Sequence, residues 1–369
     1  MKQKIKRFIF AILNFLCRII PEHKCEDLDC KEAELILQQH SSDPATSPLW
    51  RNEVHLSNYD LSIIVPVFNA ENYLDHCMMS ILNQITTYRY QVIVVNDGST
   101  DHSAILLKKY SKYDSVVILE QRNMGASAAR NAALRIAQGK YITFVDADDY
   151  LPNTAVQALM ETAYRLDADI VQGGYYYVDG KTNKIWQGLK YADRSSAPPN
   201  GCIAGFVCGK VYKSHLFEKV CFPEGYWFED TIITGLLTHL SKQIATISEN
   251  VYFYRRNHTS MTKISVGNPK SVDAFYIQRC MLNARNQLGL ITDQAFYEHL
   301  LKMVVLIHQR TQKEPKLIKK CLFILSRNML QNARGTNKFN VSIRYKTLDR
   351  AITRGEYIKY CILCKFATG

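Results

Sequence analysis

LSIIVPVFNAENYLDHCMMSILNQ, residues 61–84, opens the part of the chain that decides the fold. Its first seven residues are apolar and mostly β-branched, the pattern of a strand buried on both faces. Leu74, Met78, Ile81, Leu82 and Ile85 then fall on one face of a helix. The alternation repeats downstream. QVIVV (91–95) predicts a second strand, and Ile105, Leu106 and Tyr110 mark a second helix. Val116–Leu119 predicts a third strand, and the alanine-rich 125–138, closed by Gly139, a third helix. YITFV (141–145) predicts a fourth strand, followed by a helix through Val156, Leu159, Met160, Ala163 and Leu166. Strands alternating with helices give an α/β fold with a mainly parallel sheet flanked by helices.

Such sheets bind ligands beyond the carboxyl ends of their strands. Those ends are polar here: Phe68-Asn69 after the first strand, Asn96–Asp101 after the second, Arg122–Gly125 after the third, and Asp146-Ala147-Asp148-Asp149 after the fourth. Turn and helix-cap chemistry accounts for Asp101 and Asn153. It accounts poorly for three carboxylates within four residues, whose mutual repulsion calls for a cation. Asp146 and Asp148 form a DxD element, and alternate residues of an extended chain point to opposite sides. One carboxylate then reaches a divalent metal and the other a ribose hydroxyl. Hard oxygen ligands suit Mg²⁺ or Mn²⁺ bridging a diphosphate. Neither GxGxxG nor GxxxxGK[ST] follows the first strand, which disfavours dinucleotide oxidoreductases and P-loop enzymes.

Composition bounds the rest. The chain has 369 residues, 47% of them hydrophobic and 22% charged, which excludes collagen, wholesale disorder and a small disulfide scaffold. Its length suggests two or three domains. No uninterrupted apolar run approaches the ~20 residues of a membrane-spanning helix. The net charge is +12, with +5 in residues 1–20 and +11 in residues 310–369. Basic ends point to an anionic partner, a membrane surface or a nucleic acid. No nucleic-acid module is present, which favours the membrane. Eleven scattered cysteines read as a reducing compartment. Cys361 and Cys364 form a lone CxxC, read as two helical cysteines because no second pair completes a zinc site.

Residues 1–21 read as a basic amphipathic helix. Ile5, Phe8, Ile9, Ile12, Leu13, Leu16, Ile19 and Ile20 form its apolar stripe, opposite Lys4, Lys6, Arg7, Asn14 and Arg18. That pattern suits a membrane interface. A signal peptide is opposed by Asn14 and Arg18 within the apolar region, and packing on the protein's own core is the competing role. Residues 22–58 read as a linker. Residues 265–369 read as a basic helical region, with an apolar stripe of Leu317, Ile318, Cys321, Leu322, Leu325 and Met329 beside Lys316, Lys319, Lys320 and Arg327.

LSIIVPVFNAENYLDHCMMSILNQ, VIVVNDGSTD (92–101), NMGASAARNAAL (123–134) and GKYITFVDADD (139–149) together resemble the family-2 glycosyltransferases with the GT-A fold. GKVYKSHLF (209–217), FPEGYWFEDTII (222–233) and VYFYRRN (251–257) are similar to the distal half of that domain, bounding it at 59–264. The resemblance implies that Asp97 contacts the nucleobase and that Pro66, Phe68 and Asn69 line the base pocket. It implies Arg130 near the nucleotide, Asp146 by the ribose, Asp148 on the metal and Asp230 as catalytic base, with Glu229 beside it. Phe68 stands where Tyr is common.

The chemistry agrees with those roles. A nucleotide-sugar already carries a good leaving group, so its transfer needs charge compensation on the diphosphate and a base for the acceptor hydroxyl. Glu229-Asp230 precedes a helical pattern through Ile232, Ile233, Leu236, Leu237 and Leu240, whose N-terminus would keep a carboxylate ionised. Arg255 or Arg256 reaches the diphosphate or sits at a solvated strand end. His258 is a candidate third metal ligand, Lys210 and Tyr212 face the acceptor side, and Trp227 stacks on an acceptor sugar or is core.

The reading is an inverting, metal-dependent transferase. It moves sugar from a nucleotide-sugar, of the uridine-diphosphate kind, to a saccharide or lipid-linked acceptor. Its place is the cytoplasmic membrane face, in surface polysaccharide assembly. The alternatives are a nucleotidyltransferase with a DxD metal site and a non-catalytic sugar-nucleotide-binding protein. The first lacks its glycine-rich loop at Phe68–Tyr73, and the set Asp97, Asp148 and Asp230 opposes the second.

Overall fold

The computed structural model describes residues 28–53, 58–198, 203–256 and 264–366. The amphipathic stripe at 1–21 and His258 lie outside them. The chain divides into two compact units, one spanning Thr46–Ser260 and the other combining the described residues before 46 with those from 264 onward.

In the first unit the described strands are β1 (Leu61–Val67), β2 (Tyr90–Asp97), β3 (Val116–Gln121), β4 (Tyr141–Phe144), β5 (Ile170–Asp179), β6 (Ile185–Gln187), β7 (Lys210–Lys213) and β8 (Ile244–Arg256). They form one sheet in the order β3-β2-β1-β4-β7-β5-β6, with β8 on β5. β1 to β4 pair in parallel, as their apolar runs predict, while β7 is antiparallel to both β4 and β5. β1 and β2 are almost wholly buried, flanked by helices that bury one face each. Leu74–Leu82 buries Leu74, Cys77, Met78 and Ile81, and Ala155–Leu166 buries Val156, Leu159, Met160 and Ala163.

Two apolar positions fall elsewhere than the periodicity predicts. Ile85 lies beyond its helix and is exposed, its N–H donating to the Asn153 carbonyl at 2.7 Å. Ile105 is exposed as well, because the helix Ser103–Lys108 turns Ser103 and Leu107 inward instead.

The linker expected at 22–58 is corrected over its described part. Cys30–His40 is a helix whose capping box joins Asp29, which accepts from the Lys31 and Glu32 N–H groups, to the Glu32 side chain. Residues 46–53 belong to the sheet unit, whose boundary therefore precedes residue 59. Leu49 bridges Val220, the Trp50 indole donates to the Phe217 carbonyl at 2.8 Å, and the Cys221 N–H donates to the Pro48 carbonyl at 2.7 Å.

The second unit is helical: Cys30–His40, Asp273–Gln287, Gln294–Arg310, Lys316–Arg334, Ile343–Thr353 and Tyr357–Phe366. Its core takes up most of the apolar stripe between Leu317 and Met329. Ile318, Cys321, Leu322, Leu325 and Met329 are buried, and Leu317 alone of the six is exposed. Half-buried ion pairs brace the bundle. Arg279 reaches Glu34 and Asp43 at 2.6 Å each, and Glu314 accepts from His40 and Ser271. Cys361 and Cys364 lie on the last helix, Cys364 fully buried. Among the described residues no helix is long and apolar enough to cross a membrane.

Candidate active site

The polar strand ends gather at one edge of the sheet. At the ends of β1 and β2, Asn69 adopts φ 50°, the left-handed region that Asn tolerates better than most residues. Its side-chain oxygen accepts from the Thr100 N–H at 2.8 Å, and its own N–H donates to Ser99 Oγ at 3.1 Å. Asn69 thus ties β1 to the turn after β2. Phe68 stands 47% exposed beside it, a free ring face at the strand end, and Pro66 is half-buried within β1. Asp97, expected to meet the base, is buried and holds the next loop. Its oxygens accept from Gln121 Nε2 at 2.7 Å, Met124 N–H at 2.8 Å and Gly125 N–H at 2.8 Å. Gly98 has φ 67°, and a Cβ there would meet the Asn123 nitrogen at 2.6 Å, so the turn admits only glycine.

A second cluster surrounds Arg130. The helix Ala126–Leu134 places this guanidinium, 4% exposed, beneath the end of β4. Nη2 donates to Asp146 at 3.0 Å and Nη1 to Glu229 at 2.6 Å. Burial alone would lower its pKa, but the carboxylates of Asp146, Glu229 and Asp230 outweigh it and keep Arg130 firmly charged. Arg130 joins Asp146, just after β4, to Glu229, 99 positions from the arginine itself and just ahead of the 233–240 helical turns. Those turns are a five-residue π-helix running into one α-turn, an irregularity frequent at functional sites. Phe228, just before Glu229, holds φ 66°, a strained value for an aromatic residue.

Asp230 departs from expectation. In place of a carboxylate kept ionised by a helix terminus, burial and then the Glu229 charge push its pKa up to about 7, against the opposing pull of Arg130. Lys210, expected to face the acceptor, is fully buried instead, as is Tyr212. The Lys210 ammonium donates to the carbonyls of Phe206 and Cys208, and burial lowers its pKa to about 7. Trp227 is half-exposed.

The loop carrying Asp148 is held from behind by β8. Tyr252, buried, accepts from the Asp146 N–H at 3.1 Å and donates to Asp149 at 2.8 Å. Asp149 also accepts from the Arg255 N–H at 2.6 Å, and its carboxyl is raised well above the usual range by burial and by Asp148 and Asp146. The Arg255 side chain donates to the Asp148 carbonyl at 2.9 Å and to Asn183 at 3.0 Å, lying over the Tyr73 ring. Only 6% exposed, Arg255 is a support for the loop rather than the diphosphate ligand expected. Arg256 is exposed on the opposite side of the strand, over the rings of Tyr177 and Trp186, at the solvated strand end that was the other reading. Tyr252 went unassigned in the sequence, where VYFYRRN reads only as an aromatic strand. Its one signal is a tyrosine at a position that shares a face with no aliphatic neighbour.

Asp148 is half-exposed at the tip of this loop. Among the described residues no three acidic, His or Cys side chains form a ready metal cage. The donor set nevertheless fits Mg²⁺ or Mn²⁺, which bind through one or two carboxylates and complete their shell with substrate phosphates and water.

The family model described as glycosyl transferase family 2 matches residues 62–221. Two glycosyltransferases of Streptococcus pneumoniae serotype 4 are similar. GlyA is 33% identical over 221 residues, 55% of this chain and 32% of that protein, and GlyG is 30% identical over 220 residues, 55% of this chain and 73% of that protein. The minor teichoic acid biosynthesis protein GgaB of Bacillus subtilis is 31% identical over 209 residues, 54% of this chain and 23% of that protein. The chain thus spans a third or less of two of these relatives. The crystal structure of Staphylococcus aureus TarS 1–349 in complex with UDP-GlcNAc shares the fold, with TM-score 0.62 and 16% identity over 83% of this chain and 90% of that one.

Proposed function

The chain belongs to glycosyl transferase family 2, and on that premise we propose that it transfers a sugar from a uridine-diphosphate sugar to a saccharide or lipid-linked saccharide acceptor, with inversion. The carboxylates assembled around Arg130 carry this reading: Asp146 just after β4, and Glu229 and Asp230 from a distant segment. A family-sharing chain with that cluster at the carboxyl ends of its strands has the parts of a transfer site. The uridine donor is supported by the fold shared with TarS, whose structure was solved with UDP-GlcNAc.

Asp230 is the base in this reading. Glu229 is already engaged with Arg130 at 2.6 Å, whereas Asp230 titrates near neutrality, where a general base works best. The acceptor hydroxyl oxygen attacks the anomeric carbon, its proton passes to Asp230, and the bond from that carbon to the diphosphate oxygen breaks to release UDP. Asp148 would hold Mg²⁺ or Mn²⁺, which supplies charge compensation to the departing diphosphate. Phe68 offers a stacking face for the base, and Asp97 and Asn69 fix the two loops that frame it.

The acceptor belongs to a surface polysaccharide, a setting supported by the likeness to GgaB and by the basic ends of the chain. We place the protein at the cytoplasmic face of the membrane, held by those ends to anionic lipid. Mixing the protein with a panel of UDP-sugars and following UDP release tests the reaction. Release with at least one sugar, abolished in Asp230→Asn, is expected; no release with any sugar overturns it.

A further inference from the structure

A row of aromatic rings crosses three strands on one face of the sheet. The register sets Tyr177 of β5 opposite Tyr254 of β8 on one side and Trp186 of β6 on the other. Ring centroids are 5.6 Å apart for Tyr177 and Trp186 and 6.0 Å for Tyr177 and Tyr254. All three rings are half-buried, so their outer parts remain open. Arg256 lies over two of them, 5.3 Å from the Tyr177 centroid and 6.0 Å from that of Trp186, and is itself exposed.

This is not the chemistry of a core. The rings carry hydroxyls and an indole N–H, and a guanidinium stands among them. Tyrosine and tryptophan of this kind present an apolar body and a polar tip to a ligand that is itself mixed in character. A sugar ring is such a ligand, with C–H faces and hydroxyl edges. A guanidinium held over aromatic faces keeps its N–H edges outward, in a fork that fits phosphate or carboxylate oxygens.

The row is also continuous with the transfer site. Alternate residues of β8 share a face, so Tyr252, Tyr254 and Arg256 point the same way. Tyr252 bonds the loop of Asp146 and Asp149. At roughly 3.3 Å per residue, Arg256 stands about 13 Å along the strand from Tyr252. A ligand lying on the row therefore runs outward from the carboxylate cluster.

We propose that this row is an acceptor subsite for an anionic saccharide. Sugar rings pack on Trp186, Tyr177 and Tyr254, and a phosphate or carboxylate on the same chain pairs with Arg256. The assignment rests on the glycosyltransferase reading and extends it from the donor to the acceptor.

The test uses the full chain saturated with UDP on a glycan array of neutral, phosphorylated and uronate oligosaccharides, with UDP affinity measured separately by calorimetry. Wild type is expected to retain anionic glycans. Trp186→Ala should weaken that retention at least tenfold at unchanged UDP affinity, and Trp186→Phe should restore most of it. Arg256→Gln should lower retention of anionic glycans towards that of their neutral counterparts, with the phosphorylated and uronate arms showing which anion it takes. Absence of any retained glycan, or equal retention by Trp186→Ala, overturns the subsite. Failure of wild type to bind UDP is a separate result, which strikes at the proposed reaction and not at the row.

Discussion

Burial, and then the charges of Glu229, Arg130, Asp146 and Lys210 around it, leave Asp230 titrating near pH 7. A base works deprotonated, so kcat/KM is expected to fall as pH drops through about 7, far above the ordinary aspartate range. Asp230→Asn should remove that acidic limb and cut kcat by about 10²–10⁴ at little change in donor affinity. An intact limb in the variant, or a larger loss in Glu229→Gln, moves the base elsewhere. Asp148 makes a second test. Asp148→Asn should abolish transfer and weaken divalent-dependent UDP binding while the circular dichroism spectrum stays native; full wild-type activity in EDTA would remove the metal from the proposal. The acids after β4 stand out in the sequence because turn and cap chemistry does not explain three of them at one strand end, whereas Asp230 draws its role from the family resemblance. Their partners were not legible. Arg130 meets a carboxylate 99 residues away, and sequence spacing carries no information about such a meeting.

At the scale of elements, β8 matters more than its apolar pattern suggests. Its tyrosine hydroxyl and arginine fix the Asp148 loop, so Tyr252→Phe leaves the buried Asp149 short of one donor and the Asp146 N–H without its acceptor. A loss of about 1–3 kcal/mol in unfolding free energy is expected, readable by urea denaturation, with a fall in activity larger than that in UDP affinity. The helix Cys30–His40 offers a milder case. Asp29→Ala removes the cap and should cost about 1 kcal/mol. That helix was hidden in a charged stretch, although Asp29 and Glu32 spell a capping box, because its apolar face is only Ala33 and Leu37. The parallel strands were legible for the opposite reason, since burial on both faces demands continuous apolar runs. The antiparallel β7 was not, because its four residues, two of them lysine, carry no such run.

Across the whole molecule, charge and apolar surface part company. The C-terminal stripe is bundle core, which leaves the basic residues of that region, with +11 over 310–369, to act by charge alone. Deleting residues 1–21 is therefore expected to lower co-sedimentation with anionic vesicles, and high salt to remove what remains, since only the Coulomb part is screened. Indifference of the full chain to anionic vesicles at low salt would end the membrane reading. Stability and UDP binding should survive the deletion. The edge position of β6 carries a further consequence. It is three residues long, pairs only with β5 among the described strands, and brings one ring to the row while touching none of the carboxylates around Arg130. Asn183, in the turn before β6, reaches Arg255 and through it the Asp148 loop, whereas β6 itself reaches the row. Exchange of residues 184–189 between relatives, with Asn183 kept, is therefore expected to change acceptor preference in the proposed reaction at unchanged UDP affinity, so diversification of product can proceed without reinventing the catalyst.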